Sequence, residues 1–188
     1  MNALILNGGG LEKPYQEIVD RTVARAHQYG AETMAFDLTS MNIKPCRGCF
    51  GCWIKTPGIC FARDDMDRIM PYLATSDWLI WITPIAFGGY GYHLKKTVDR
   101  SIPILLPFFK RFAGEIHHPL RYEHGERRLD VVGVLPGEDP ESERIFHDIV
   151  RRNSLNMHTQ PASIVLYEIE DGGHLEERLR MFLSRTER

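Results

Sequence analysis

The 188-residue chain has no apolar run approaching the roughly 18 residues that a membrane-crossing helix needs, so no membrane partner is expected. It also lacks an excess of charge of one sign: 23 Lys and Arg stand against 25 Asp and Glu, for a formal net charge of -2. Without a basic face to meet a phosphate backbone, nucleic acid is not expected as a partner. The start, from Met1 to Gly10, has no basic leader and too short an apolar stretch for an export signal, which makes a cytoplasmic location the expectation. Cysteine is missing everywhere except between Cys46 and Cys60, where all four lie. A disulfide framework would spread them along the chain, so the clustering asks for a chemical explanation. Internal repeats and low-complexity linkers are absent too, and 43% apolar with 26% charged residues is ordinary for a folded enzyme. One domain over residues 1–188 is the economical reading.

What is present alternates. Ala3 to Leu6 is a short apolar run that stops at Asn7-Gly8-Gly9-Gly10, a buried strand ending in a turn. Pro14 suits the first turn of a helix whose stripe is Ile18, Val19, Thr22, Val23 and Ala26, with Gly30 placed to end it. A second strand, Thr33 to Leu38, leads into the cysteine segment, and Asp64-Asp65 precede a helix carrying Met66, Ile69, Met70 and Leu73. Trp78 to Ile82 shows no polar alternation, so it is expected to be a central strand covered on both faces, with Trp78 and Trp81 in the core. It is expected to end at Thr83-Pro84, before a glycine-rich stretch and a helix from about Tyr92 to Ser101.

From 102 to 128, prolines at 103, 107 and 119 interrupt any pattern, and an irregular excursion beside the site is expected. Alternation resumes with a strand at Leu129 to Leu135 and a helix bearing Ile145, Phe146, Ile149 and Val150. A strand at Ser163 to Tyr167 and a helix with Leu175, Leu179, Phe182 and Leu183 complete five strands and five helices. Strict alternation with right-handed crossovers gives an α/β fold with a parallel sheet.

In an open doubly wound sheet the ligand sits beyond the carboxyl ends of the strands, where the strand order reverses. With the order 2-1-3-4-5, the bordering loops are Gly8 to Lys13, Pro84 to Gly91 and Gly137 to Asp139, all glycine-bearing. Glycine lets backbone N–H groups approach a ligand closely, as a phosphate or a flat ring requires. Each loop alone reads as a tight strand-to-helix turn; three on one edge point to a site.

The segment Cys46-Arg47-Gly48-Cys49-Phe50-Gly51-Cys52, then Lys55 to Cys60 and Asp64-Asp65-Met66, resembles the signature of the NAD(P)H-dependent FMN reductases and related iron-sulfur flavoproteins. So does Thr83-Pro84-Ile85-Ala86-Phe87-Gly88-Gly89, followed by Leu94-Lys95 and Val98-Asp99-Arg100. The likeness runs from about Leu4 to Leu183. It implies a flavodoxin-like three-layer sandwich and an oxidoreductase that takes electrons from NAD(P)H through FMN to a small acceptor such as a quinone, a flavin, or a nitro or azo compound. It implies that Pro84, Ile85, Ala86, Phe87, Gly88 and Gly89 run beside the flavin ring and ribityl chain. Pro136 and Gly137 would approach the other side of the ring, and members are usually homodimers. One departure stands out: the first loop, Asn7 to Pro14, carries none of the hydroxyls that commonly hold the FMN phosphate in the family. Gly8, Gly9, Gly10, the helix N-terminus and Lys13 are left to hold a dianion, against Glu12, and weaker phosphate binding is expected.

The thiols are spaced Cys46-x2-Cys49-x2-Cys52-x7-Cys60. Four thiolates around one centre are what a [4Fe–4S] cluster takes, and the iron-sulfur flavoproteins use nearly this pattern. Free or redox-active thiols, or a four-thiolate zinc site, are also compatible with the spacing. The alternatives to a reductase are therefore a one-electron carrier serving a ferredoxin-like partner, and a flavin-less thiol or zinc regulatory module. His117-His118 could close over a substrate or bind a metal, although adjacent histidines point different ways. Asp99-Arg100 reads as a structural pair at a helix end, and Phe87, Tyr90 and Tyr92 as rings that stack on the flavin or simply pack at the surface. No residue is cast as an obligatory acid or base.

Overall fold

The computed structural model describes residues 1–112, 114–168 and 172–184. In chain order the elements are β1 (Asn2–Asn7), α1 (Tyr15–Gln28), β2 (Glu32–Asp37), α2 (Gly51–Ile54), α3 (Met66–Thr75), β3 (Trp78–Ala86), β4 (Gly89–Tyr90) and α4 (Tyr92–Asp99). Then come a 3-10 turn (Ile102–Ile104), β5 (Lys110–Phe112), β6 (Glu115–His117), β7 (Arg128–Leu135), α5 (Pro140–Met157), β8 (Gln160–Tyr167) and α6 (Gly172–Leu183).

Five strands pair in parallel in the order β2-β1-β3-β7-β8, which is the expected 2-1-3-4-5 arrangement. Side-chain alternation divides the core between the two faces of the sheet. Ala3 and Ile5 of β1, with Trp78, Ile80 and Ile82 of β3, meet Ile18 and Val19 of α1 and Leu175 and Leu179 of α6. Leu4 and Leu6, with Leu79 and Trp81, meet Ile69 and Leu73 of α3, Leu94 of α4, and Phe146 and Val150 of α5. Both faces of β3 are therefore buried, which is why its sequence shows no polar alternation. Trp78 and Trp81 are core residues, at most 1% exposed.

Four details differ from the sequence expectations. β3 does not stop at Thr83-Pro84 but continues to Ala86 and folds back through Phe87-Gly88 into β4, pairing Ile85 with Tyr90 and Ala86 with Gly89. Pro84 is tolerated because the β1 ladder ends at Asn7 opposite Ile82, so no neighbour on that side needs its missing N–H. A sixth helix, the single turn α2, sits inside the cysteine segment, and α4 stops at Asp99 rather than Ser101. The excursion contains the 3-10 turn and a two-stranded ribbon, β5 with β6, separate from the main sheet.

Candidate functional site

The turns after β1, β3 and β7 emerge on one edge, since Asn7 lies opposite Ile82 and Pro84 opposite Val134. In the first turn the buried Asn7 side chain accepts from Gly9 N–H at 3.0 Å and donates to the Gly10 carbonyl at 2.7 Å. Gly8 N–H is spent on the Ile82 carbonyl at 2.7 Å. The two glycines foremost in the sequence expectation are thus committed internally. The N–H groups of Gly10, Leu11, Glu12 and Lys13 find no hydrogen-bond partner among the described residues. These are four consecutive donors without a protein partner at the entry to α1, with Gly10 at φ +91°, a type of backbone that suits an anion.

Sequence reasoning missed two contributors here. The ring of Tyr15 lies so close over Gly9 that a Cβ on that glycine would fall 2.0 Å from the ring, so only glycine fits. Burial, and secondarily the negative charge of Glu168, push the Tyr15 hydroxyl up to about 12. The other is Thr39, from the turn after β2, whose hydroxyl lies 3.5 Å from a Cβ placed on Gly10. A hydroxyl absent from the first loop is therefore supplied beside it by the next one, where it donates to Asp37 at 2.8 Å. Only the three-dimensional neighbourhood of β1 and β2 reveals it.

The second turn is a two-residue hairpin with positive φ at both Phe87 (+50°) and Gly88 (+75°). Buried Thr83 pins its base, accepting from Gly91 N–H and donating to the Pro84 carbonyl, both at 3.0 Å. Ala86 and Phe87 face outward, and Phe87 is fully exposed. Ile85 turns into the core instead, against the Gly133 and Phe146 positions, so only its backbone remains for a ligand. Tyr90 corrects the expectation of a stacking ring. It is 6% exposed, lies edge-on to Trp81 and Phe146, and accepts at its hydroxyl from Asn153 at 3.0 Å. Burial pushes that hydroxyl up to about 12. Tyr92 is exposed, with the Lys96 ammonium over its ring. In the third turn Pro136 is exposed, and a Cβ on Gly137 would meet nothing within 4 Å.

The four cysteines come together: Cys46, Cys49, Cys52 and Cys60 all border one cavity of about 20 Å³. Burial, and then the proximity of Cys60, Cys46 and Cys49, raise the Cys52 thiol. Phe50, between the second and third cysteines, holds a left-handed backbone at φ +53°. Non-glycine residues in that region are strained, and two of the three found among the described residues, Phe50 and Phe87, lie in the candidate loops. The donor set suits iron or zinc, but the space does not. No three His, Cys, Asp or Glu side chains among the described residues stand close enough to share an ion. The cavity has room for about one water, so a four-iron cluster would have to spread the loop.

Arg100 frames this nest. Its guanidinium, 2% exposed, donates to both Asp64 oxygens at 2.9 and 3.2 Å, to the Lys44 carbonyl at 2.7 Å and to the Ala62 carbonyl at 3.1 Å. Burial alone would raise the Asp64 carboxyl, but hydrogen bonds from Arg100, Lys44 N–H and Met66 N–H outweigh it and hold the group below its usual value. Asp99 and Arg100 are not partners of one another: Asp99 takes Lys95, and Arg100 takes Asp64. The adjacent histidines diverge as expected. His117 reaches Asn156 and Glu115, whereas His118 bonds the Phe108 carbonyl and packs between Trp53 and Phe109.

The family model described as NADPH-dependent FMN reductase matches residues 1–124. An iron-sulfur flavoprotein of Methanocaldococcus jannaschii is 37% identical over 79 residues, which are 42% of this chain and 40% of that protein's length. Among solved structures, an NAD(P)H:quinone oxidoreductase from Methanothermobacter marburgensis superposes with TM-score 0.70 at 14% identity, covering 98% of each chain. An FMN-dependent NADH-azoreductase from Bacillus anthracis, in complex with FMN, superposes with TM-score 0.65 at 12% identity over 98% of this chain and 99% of that one. At these identities the structural likeness establishes the flavodoxin-like fold. No helix among the described residues is long and apolar enough to cross a membrane.

Proposed function

Because the chain belongs to the NADPH-dependent FMN reductase family, we propose that it is an oxidoreductase holding FMN at the carboxyl edge of its sheet and passing electrons from NAD(P)H to a small acceptor. The observation that carries this reading is the row of four unpaired N–H groups, Gly10 to Lys13, in the turn after β1. Together with the Lys13 ammonium they suit a phosphate dianion, whereas the nearby Thr39 hydroxyl already gives its proton to Asp37. The outward edge of Pro84 to Gly89 supplies one wall for a flat ring, and the open space at Gly137 leaves room on the other. Bound FMN would supply the chemistry, accepting hydride from the nicotinamide and reducing the acceptor. The protein's share is to anchor the phosphate, orient the ring and shield it from water, and no side chain is needed as an acid or base. Acceptors of the quinone, flavin, nitro or azo type fit this role. A homo-oligomer would cover the exposed ring of Phe87.

The direct test is to load the protein with FMN without oxygen, add NADPH and then NADH, and follow the yellow flavin absorption. The proposal expects bleaching by at least one donor and recovery on adding a quinone; persistence of the colour with both donors would reject it. A second reading, a one-electron carrier for a ferredoxin-like partner, draws on the four sulfur donors around one cavity, although that cavity as it stands is too small for a cluster. Iron and acid-labile sulfide in anaerobically purified protein would favour it over the first.

A further inference from the structure

A second cavity, of about 500 Å³, lies beside the cysteine nest, and nothing in the flavin chemistry uses it. Its volume is within the range of small-molecule sites. Its walls combine rings and aliphatic groups, Trp53, Val98, Ile102 and Leu105 among them, with a few polar groups from α5 and the excursion. Among the described residues no lysine or arginine borders it, and the one carboxylate, Asp99, is already paired with Lys95 at 2.6 Å. Phosphates and carboxylates have no counter-charge here, so FMN and the pyrophosphate of a nicotinamide nucleotide are disfavoured. A neutral ligand is indicated.

The polar groups narrow the class. His118 Nδ1 faces the Phe108 carbonyl at 2.9 Å; a carbonyl can only accept, so Nδ1 carries the proton. In the neutral ring Nε2 is then an acceptor, and it has no hydrogen-bond partner among the described residues. Asn156 uses its oxygen to meet His117 at 3.0 Å, which leaves its amide N–H groups as donors without a partner. A planar ring with oxygen substituents answers both: a carbonyl takes the Asn156 donor, and the corresponding hydroxyl donates to His118. The hydroquinone satisfies both groups, whereas the quinone, which has no donor, engages Asn156 alone. Asn153, on the same wall, donates to the Tyr90 hydroxyl and so ties the cavity to the hairpin at the flavin edge.

We propose that this cavity, beside the cysteine nest, is a binding site for a neutral quinone and its hydroquinone. The choice of quinone among neutral planar ligands rests on the redox reading above; the location of the site does not. Duroquinone is a suitable probe because its fully substituted ring cannot arylate the thiols. Equilibrium dialysis of the FMN-loaded protein with duroquinone is expected to show one saturable site. Asn156→Leu should weaken it at least about tenfold, the loss of one hydrogen bond to a neutral group with its desolvation. Leu105→Trp, which fills the cavity without removing a polar group, should abolish saturation. FMN affinity in both variants is expected to match the parent, which separates this site from the flavin site. Duroquinone binding unchanged in Leu105→Trp, or displaced by excess FMN, or unsaturable in the parent protein, would overturn the proposal. Failure of FMN itself to bind the parent would strike the redox reading instead.

Discussion

Replacing Asp64 by Asn is expected to be among the most damaging single changes outside the sheet. The carboxylate is 1% exposed and accepts four hydrogen bonds, two from Arg100 at 2.9 and 3.2 Å and two from the N–H groups of Lys44 and Met66 at 3.0 and 3.1 Å. Asparagine keeps the shape and one acceptor but loses the charge, leaving the buried Arg100 cation without its counter-charge and with neutral carbonyls, those of Lys44 and Ala62, among its partners. Breaking one side of a buried pair costs about 3–5 kcal/mol, a large share of the 5–15 kcal/mol that holds a typical domain. Arg100→Met should cost a similar amount by stranding Asp64. The double variant, with both charges gone, should be milder than the sum of the singles by about 2 kcal/mol or more. Urea unfolding followed by far-UV circular dichroism, at constant m-value, measures all three. The pH dependence gives an independent reading. Because the folded carboxyl lies below its unfolded value of about 4, its stabilisation is complete above that pH and is lost as pH falls through the lower folded value. The gap between wild type and Asp64→Asn should therefore shrink on acidification. Single-variant losses under about 1 kcal/mol, the range of exposed pairs, or strictly additive effects, would refute the reasoning.

Two further outcomes follow from the hairpin. Gly88→Ala should destabilise by about 2–5 kcal/mol, combining a left-handed penalty with a Cβ placed 2.6 Å from Ile145 Cγ2, and Ile145→Ala in the same chain should restore the packing part alone. Tyr90→Phe should protect against alkali: the folded hydroxyl at about 12 stands above its unfolded 10, so stability falls as pH rises between them, by up to about 2–3 kcal/mol. Urea midpoints at about pH 9 and 11 check this, and an equal alkaline loss in both proteins would contradict it.

How much of this was legible in the sequence differs between the sheet and its surroundings. β1, β3 and β7 are buried on both faces, so their apolar runs announced them and their glycine exits pointed to the edge that carries the candidate site. The hairpin at Phe87-Gly88 was hidden because Pro84 reads as a strand stop, and only the end of the neighbouring ladder shows why it is tolerated. The ribbon of β5 and β6 has three residues a side, too few for alternation to register. α2 is a single turn with no periodic stripe. In the first turn the residue types were legible but their commitments were not. Asn7 and Ile82 take the first two glycine N–H groups, and the unpaired donors run from Gly10 to Lys13: the expected Gly10 and Lys13 keep theirs, and Leu11 and Glu12 add backbone donors that their side chains do not announce. Thr39 and Tyr15 come beside the candidate loop through β-sheet adjacency and helix entry, which no local pattern encodes. Arg100 was noticed, but its partner was sought next door rather than 36 residues away.

The central claim is that the turn after β1 holds the phosphate of a flavin, and titrating flavin-free protein with FMN and with riboflavin tests it most directly. Four unpaired N–H groups and Lys13 predict saturable one-to-one binding of FMN, tighter than riboflavin by at least about tenfold, or 1.4 kcal/mol. Equal affinity for the two flavins, or no saturable binding of FMN, would contradict it.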